Sequence, residues 1–243
     1  MRPSAPAERG SWRRSIATKA QSARNASWER ALSRLIRACV LGFAALEVVA
    51  MHLYPGGTFW DRTTHGARFW QNFLCDLESP VALNGEPNGL GALFGKAAML
   101  LMVVGLAPFW WIVSGRLGSA RNLGSAVRVL GFVSLGGIVA VALMPSSRFG
   151  FLHGVAVVVA GAPGLCAAGL AVAGLAAEPR PRIAAILGGM TLVFALVDYV
   201  LYMRVMRYGG PGPMVLPAAQ KLAVLLLMAW MMVVARPAGP VEK

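Results

Sequence analysis

Six long apolar segments dominate the sequence and restrict the folds open to it. They cover residues 33–53, 90–114, 126–144, 150–176, 183–204 and 215–235. Helical residues rise by about 1.5 Å each, so ~20 of them cross the ~30 Å hydrocarbon core of a bilayer. We therefore predict an all-α fold, a polytopic membrane bundle of six transmembrane helices.

The composition agrees with a chain that is solvated mostly by lipid. Hydrophobic residues make up 57% of it and charged residues only 14%, whereas about a quarter of a soluble domain is charged. The net charge is +13, but nine of the 23 Lys and Arg residues lie within the first 37 residues. The others gather near the ends of apolar segments, which is the pattern of membrane orientation and not of a phosphate-binding groove. We predict membrane lipids as partners and exclude nucleic acid.

The charges also divide the chain and orient it. Residues 1–30 are predicted to be a disordered basic cytoplasmic tail, with a transit peptide as the alternative. Residues 31–236 form the transmembrane domain, and 237–243 a second cytoplasmic tail. Sixteen Lys and Arg residues fall on the side of the termini and seven on the other side. The positive-inside rule then predicts cytoplasmic termini and an extracytoplasmic loop 54–89, in the bacterial plasma (inner) membrane.

The connection 54–89 is too long for a simple tether and is rich in aromatic residues. If residues 69–77 form a short helix, Phe69 and Phe73 share one face while Asn72 and Asp76 lie one turn apart on another. One interpretation is an interfacial helix with its aromatic side chains in the headgroup layer and its polar face in water. The other is a lid over the bundle that turns Asn72 and Asp76 inward.

Three stretches of this loop carry a family resemblance. They are Tyr54-Pro55-Gly56-Gly57, the aromatic block with Asn72 and Cys75-Asp76-Leu77, and Asn84-Gly85-Glu86-Pro87-Asn88. Together with the helix pattern, they resemble a bacterial family of six-helix membrane proteins known by a domain-of-unknown-function label. That family is distantly similar to the eukaryotic FRAG/DRAM/SFK membrane proteins, which are associated with lipid and GPI-anchor handling. The resemblance implies the six-helix fold and no catalytic residue.

Ionisable side chains at membrane depth are costly, and each is a functional-site hypothesis. Glu47, Asp198 and Lys221 lie about six residues from the extracytoplasmic ends of their helices, or roughly 9 Å deep. The simplest interpretation is a buried ion pair, so we expect Lys221 within salt-bridge distance of Asp198 or Glu47, with His153 bordering the same space. The candidate ligand-binding cluster is Glu47, His52, Asn72, Asp76, His153, Asp198, Tyr202 and Lys221.

The histidines have simpler interpretations than metal binding. His52 suits the membrane interface, and His153 suits a helix start with a bond to a neighbouring carbonyl. His52, His65 and His153 with Asp76 or Asp198 could in principle form a zinc site of the ceramidase type, but His65 lies in a polar loop. No zinc motif, haem ligand pair, nucleophile elbow or phosphate loop is present. We predict no metal and no cofactor.

Three functions are compatible with these residues. The first is binding of a lipid or lipid-like headgroup in an outer-leaflet cavity. The second is a lipid-modifying hydrolase or transferase at the same site, with Asp76, His153 and Asp198 as acid and base groups. The third is a proton-coupled carrier with Glu47 and Asp198 as the protonated pair, although few polar residues continue toward the cytoplasmic side.

Overall fold

The structure is a computed structural model. It describes residues 6–117, 121–177, 182–209 and 214–236, and of residues 6–20, 22, 23 and 121 it describes the backbone alone. Residues 178–182 and 209–213 were predicted to separate the last three spans, and of these 178–181 and 210–213 lie outside the described residues. So does the predicted C-terminal tail 237–243.

The described chain forms eight helices. The long ones are α1 (Pro6–Leu53), α3 (Gly89–Arg116), α4 (Arg121–Leu143), α6 (Phe151–Ala177), α7 (Arg182–Tyr208) and α8 (Val215–Val234). Two helices have four residues each, α2 (Leu74–Leu77) and α5 (Ser146–Phe149). All six long helices contain a segment that is long and apolar enough to cross a membrane. The predicted fold class is confirmed, and the chain is an integral membrane protein of the all-α class.

The N-terminal segment differs from the sequence prediction. Residues 1–30 were expected to be disordered, but helix α1 begins at Pro6 and runs without a break into the first span, Arg24–Leu53. Ala and Arg make up ten of the 25 residues from 6 to 30, and both lose little free energy in a helix. Once the apolar half of α1 is helical, its N-terminal extension also avoids the cost of nucleation.

The six long helices form a closed ring in the order α1, α3, α4, α6, α7, α8, with a less extensive contact between α8 and α1. Because the spans alternate in direction, the 54–88 segment and the α4–α6 connection lie at one end, called here the loop end. The helix α1 start and the α8 end lie at the other, the tail end. Near the tail end, Phe109, Trp110 and Trp230 pack edge to face with ring centroids 4.9–6.2 Å apart, and all three are buried.

Small residues allow the helices of this ring to approach closely. A Cβ atom on Gly137 of α4 would lie 2.2 Å from the backbone nitrogen of Ala160 on α6. A Cβ atom on Gly161 of α6 would lie 2.7 Å from the ring of Tyr199 on α7. In lipid, where no hydrophobic effect drives helices together, such close packing supplies much of their attraction.

Candidate functional site

The long loop 54–88 is folded against the loop end by its own backbone. Gly57 N–H donates to the carbonyl of Thr64 at 2.8 Å, and Asn84 N–H donates to that of Gly56 at 3.2 Å. Leu83 N–H donates to the buried Tyr54 hydroxyl at 3.0 Å. The loop is therefore ordered by its own hydrogen bonds and packs on the loop end of the bundle, in agreement with its aromatic composition.

Only the second half of the predicted helix 69–77 is helical. Residues 68–72 form a turn in which Asn72 N–H donates to the Arg68 carbonyl at 2.9 Å. The Asn72 side chain accepts from Arg68 N–H at 2.8 Å and donates to the Gly57 carbonyl at 2.8 Å. An asparagine that bonds to nearby backbone in this way competes with helix formation, so the helix α2 begins only at Leu74.

The polar pair of this segment faces inward. Asn72 is 1% exposed and Asp76 7% exposed, and the Asn72 side-chain amide donates to Asp76 Oδ2 at 3.3 Å. Phe69 and Trp70 stay 42% and 52% exposed. The interpretation with the polar face in water is wrong, and the arrangement agrees with the alternative in which Asn72 and Asp76 turn toward the bundle.

Helix α8 holds residues 72–74 of the loop in place. Leu74 N–H donates to Gln220 Oε1 at 3.0 Å, and the Lys221 ammonium donates to the backbone carbonyl of Asn72. The ammonium also lies 5.5 Å from the centre of the Phe69 ring, in the range of a cation–π contact. Two consecutive polar residues of one helix thus bond the backbone of the loop.

The predicted ion pair of Lys221 is wrong. Among the side chains that the structure describes, the one ion pair within 4.0 Å joins Glu29 to Arg116, near the tail end. Lys221 interacts with the charges of Glu47, Asp76 and Asp198 only over longer distances. The backbone carbonyl of Asn72 takes the place that a carboxylate was expected to fill, because the loop folds down onto α8.

A cavity of about 520 Å³ lies inside the ring. Its apolar lining includes Met102, Leu106, Leu227 and the rings of Trp110 and Trp230. Most polar residues of its lining lie in the half of the cavity toward the loop end: Asp76, Glu78, His153, Asp198, Tyr199, Tyr202 and Gln220. Two deeper hydroxyl groups are satisfied, since Ser134 donates to the Ala160 carbonyl and Thr191 to that of Leu187, whereas the Trp230 indole N–H has no partner among the described residues. The cavity is therefore polar at one end and apolar along its depth.

The cavity separates the predicted cluster into two groups. Asp76, His153, Asp198 and Tyr202 line it. The other four members do not: Glu47, His52, Asn72 and Lys221. His52 is exposed because Ala50 and Tyr54 occupy the buried face of that part of the chain. Asn72 and Lys221 are buried in contacts that fix the loop, and they support the site without facing it.

The histidine at the cavity behaves as the simpler interpretation predicted. His153 is 4% exposed, at the start of α6, and its Nδ1 lies 2.7 Å from the Met144 carbonyl. The bond joins the start of α6 to the chain just after α4. His153 also borders the cavity as expected.

One acid of the site, Glu78, was not among the residues predicted for it. It was assigned to the polar loop, yet it caps α2, is 1% exposed and lines the cavity. Neither of its carboxyl oxygens has a hydrogen-bond partner. Burial, followed by the nearby charge of Glu47, raises the pKa of the Glu78 carboxyl to about 9, against the opposing charge of Lys96. The sequence did contain one indication: Glu78 directly follows the aromatic segment 69–77, which was proposed to cover the bundle.

Asp76 differs from Glu78 because its carboxylate has donors. Phe73 N–H donates to Asp76 Oδ2 at 2.8 Å, in addition to the bond from Asn72. Burial raises the pKa of Asp76 to about 6, while these bonds and the charge of Lys221 lower it. Hydrogen bonds and the charge of Lys221 thus favour the ionised form of Asp76, whereas burial without donors favours the protonated form of Glu78.

Metal binding finds no geometric support in the described part of the chain. No three His, Cys, Asp or Glu side chains there are grouped so that they could hold a metal ion. His52 and His65, two of the three histidines, are absent from the lining of the cavity. The side chains around it instead offer hydrogen-bond acceptors, phenol rings and one imidazole.

Comparison of the chain with protein-family models, with curated proteins and with solved structures gives no match. The resemblance carried by residues 54–88 remains a prediction.

Proposed function

We propose that this protein binds one amphipathic lipid or lipid-like molecule in the cavity of the ring. The main supporting observation is that one cavity has most of its polar side chains in the half toward the loop end and mainly apolar side chains below them. A headgroup would meet Asp76, Asp198 and Tyr202, and an acyl chain would lie against Met102 and Leu227. Ligand cavities in proteins combine apolar walls with a few placed polar groups in this way.

The length of the cavity supports an acyl chain as well as a headgroup. Leu216 and Trp230 both line it and are fourteen positions apart on α8, or about 21 Å at roughly 1.5 Å per residue. That exceeds one leaflet, about half of the ~30 Å hydrocarbon core. A headgroup-only ligand would leave most of this apolar surface uncovered.

The orientation belongs to the same proposal. The excess of Lys and Arg on the side of the termini supports a cytoplasmic tail end in a bacterial inner membrane. The loop end is then extracytoplasmic, and the polar part of the cavity lies at the level of the outer leaflet.

A lipid-modifying enzyme is the second candidate. It is favoured by one observation, that Asp76, His153 and Asp198 all line the cavity. The carrier hypothesis has less support, because its proposed partner of Asp198, Glu47, does not line the cavity. Enzyme and binder differ in one outcome: an enzyme releases a modified lipid, whereas a binder returns the lipid unchanged.

Mass spectrometry of lipids that co-purify with the protein tests the proposal. Ala195→Phe adds a ring to a small residue of the cavity lining and should remove most of the bound lipid. Ala173→Phe is the matched control, since Ala173 is exposed on the outside of α6 and its replacement should leave the lipid in place. Equal lipid content in wild type and Ala195→Phe, with both folded, would contradict the proposal.

A further inference from the structure

The polar end of the cavity contains an excess of acids. Asp76, Glu78 and Asp198 line it, and no Lys or Arg does among the residues that the structure describes. The nearest cation of α8, Lys221, donates to the Asn72 carbonyl and is already engaged. A ligand bound at this end meets carboxyl groups directly, while the cations that act on them, such as Lys96, are absent from the cavity lining.

Glu78 is the acid of the cavity lining whose carboxyl group has no hydrogen-bond partner in the part of the chain that the structure describes. The residue is 1% exposed and lines the cavity, and neither of its buried carboxyl oxygens has a donor. Buried polar groups are nearly always hydrogen-bonded, and one left alone is costly. The missing partner of a carboxylate is a donor, and a cationic donor offsets its charge as well.

We propose that the headgroup recognised at the loop end carries an ammonium group, so that the ligand is a cationic amphiphile. This inference rests on the proposed function and specifies its headgroup. The ammonium hydrogens would bond Glu78, and the charge of Asp76 acts on the same carboxyl group. The Glu78 proton would leave to water as the ion pair forms, so charge is conserved at the site.

The aromatic lining fits the same chemistry. Phe73, Tyr199 and Tyr202 line the cavity together with the acids. Aromatic faces attract ammonium ions and commonly surround them in binding sites. A phosphate headgroup is disfavoured, because its negative charge would meet three acids, while no Lys or Arg of the described residues lines the cavity.

Three single-chain probes of equal chain length test the inference: hexadecylamine, hexadecanol and hexadecyl phosphate. Binding of each to the purified full chain in a neutral detergent would be measured by native mass spectrometry. We expect the amine to bind about tenfold more tightly than the alcohol, as for one charge-assisted hydrogen bond, and the phosphate most weakly. Glu78→Gln keeps the shape of the side chain and should reduce the preference for the amine to about twofold or less.

Glu86→Gln is the control for general surface charge. Glu86 lies in the same loop and is exposed, so its replacement should leave the preference for the amine unchanged. Equal binding of the amine and the alcohol to wild type would overturn the ammonium headgroup and leave amphiphile binding intact. Binding of none of the three probes would count against the proposed function itself. An equal loss of preference in both variants would show bulk electrostatics and would also overturn the assignment to Glu78.

Discussion

The ammonium group of Lys221 bonds the backbone carbonyl of Asn72, across 149 positions of sequence. This contact joins a charged residue of a transmembrane helix to the folded loop above it. It explains how a lysine can be 3% exposed inside the bundle without a carboxylate in contact. The cluster of charges is therefore organised around the loop, and the acids of the cavity keep no direct cationic partner.

Replacing Lys221 by Met should loosen the loop. The Asn72 carbonyl would lose its donor, and an unsatisfied buried acceptor costs about 1–3 kcal/mol. We expect a lower thermal unfolding temperature and faster proteolysis within residues 54–88. Arg62→Met is the control: Arg62 also donates to a loop carbonyl, that of Leu83 at 3.1 Å, but at an exposed site, so its loss should have little effect. Equal stability of Lys221→Met and wild type would refute the anchoring role.

Gly57→Ala should prevent the loop from folding as described. Gly57 has φ +82°, and a Cβ atom there would lie 2.3 Å from Asn84 N. The positive φ alone costs about 1 kcal/mol for a residue with a side chain, and the backbone collision adds to it. Gly66→Ala separates the two effects, because Gly66 has φ +67° and open space around it. Chemical denaturation should show the larger loss for Gly57→Ala; similar losses would mean that the close approach is absent.

The stability of the folded protein should decrease as pH rises, because Glu78 loses its proton. Its pKa is about 9 in the folded protein, against an ordinary value of 4.5, so folding takes up a proton between these values. The stabilisation is complete below about 4.5 and is lost as pH rises through about 9. Glu47, Asp76 and Lys96 supply the surrounding charge.

Glu78→Gln should therefore be more stable than wild type at pH 8–9. The expected gain is on the order of 1 kcal/mol or more, or roughly 2–4 °C in Tm for a domain of this size. At pH 5 the two proteins should unfold at similar temperatures, and Glu86→Gln should follow wild type throughout. A Tm difference that is the same at both pH values would show that Glu78 does not titrate in this way.

The orientation can be tested with cysteines placed at the two ends. Glu86 and Asn25 are both exposed, and the native residues Cys39, Cys75 and Cys166 are free and can be replaced by Ala. In intact cells an impermeant maleimide should label Glu86→Cys in this background. It should label Asn25→Cys only after lysis. The reverse pattern would invert the bundle and put the polar end of the cavity in the inner leaflet.

Sequence patterns were sufficient for the spans because lipid imposes a simple rule. In the hydrocarbon core every backbone group must be bonded within its own segment, so a long apolar run becomes a helix. The predicted start at residue 90 and the observed start at Gly89, or the predicted end at 235 and the observed end at Val234, differ by one residue. The position of His153 at the cavity was also predicted from its depth, because it lies near the start of α6, at the same end as the other polar residues.

The partners of the polar residues were decided by tertiary structure alone. Depth along a helix placed Glu47, Asp198 and Lys221 at one level, but depth does not say which face each presents or what lies above. The fold of loop 54–88 depends on backbone bonds between residues far apart, such as Asn84 to Gly56. That fold brought the Asn72 carbonyl to Lys221 and buried Glu78 beside the cavity, because contacts of a loop follow from its closure and not from local periodicity.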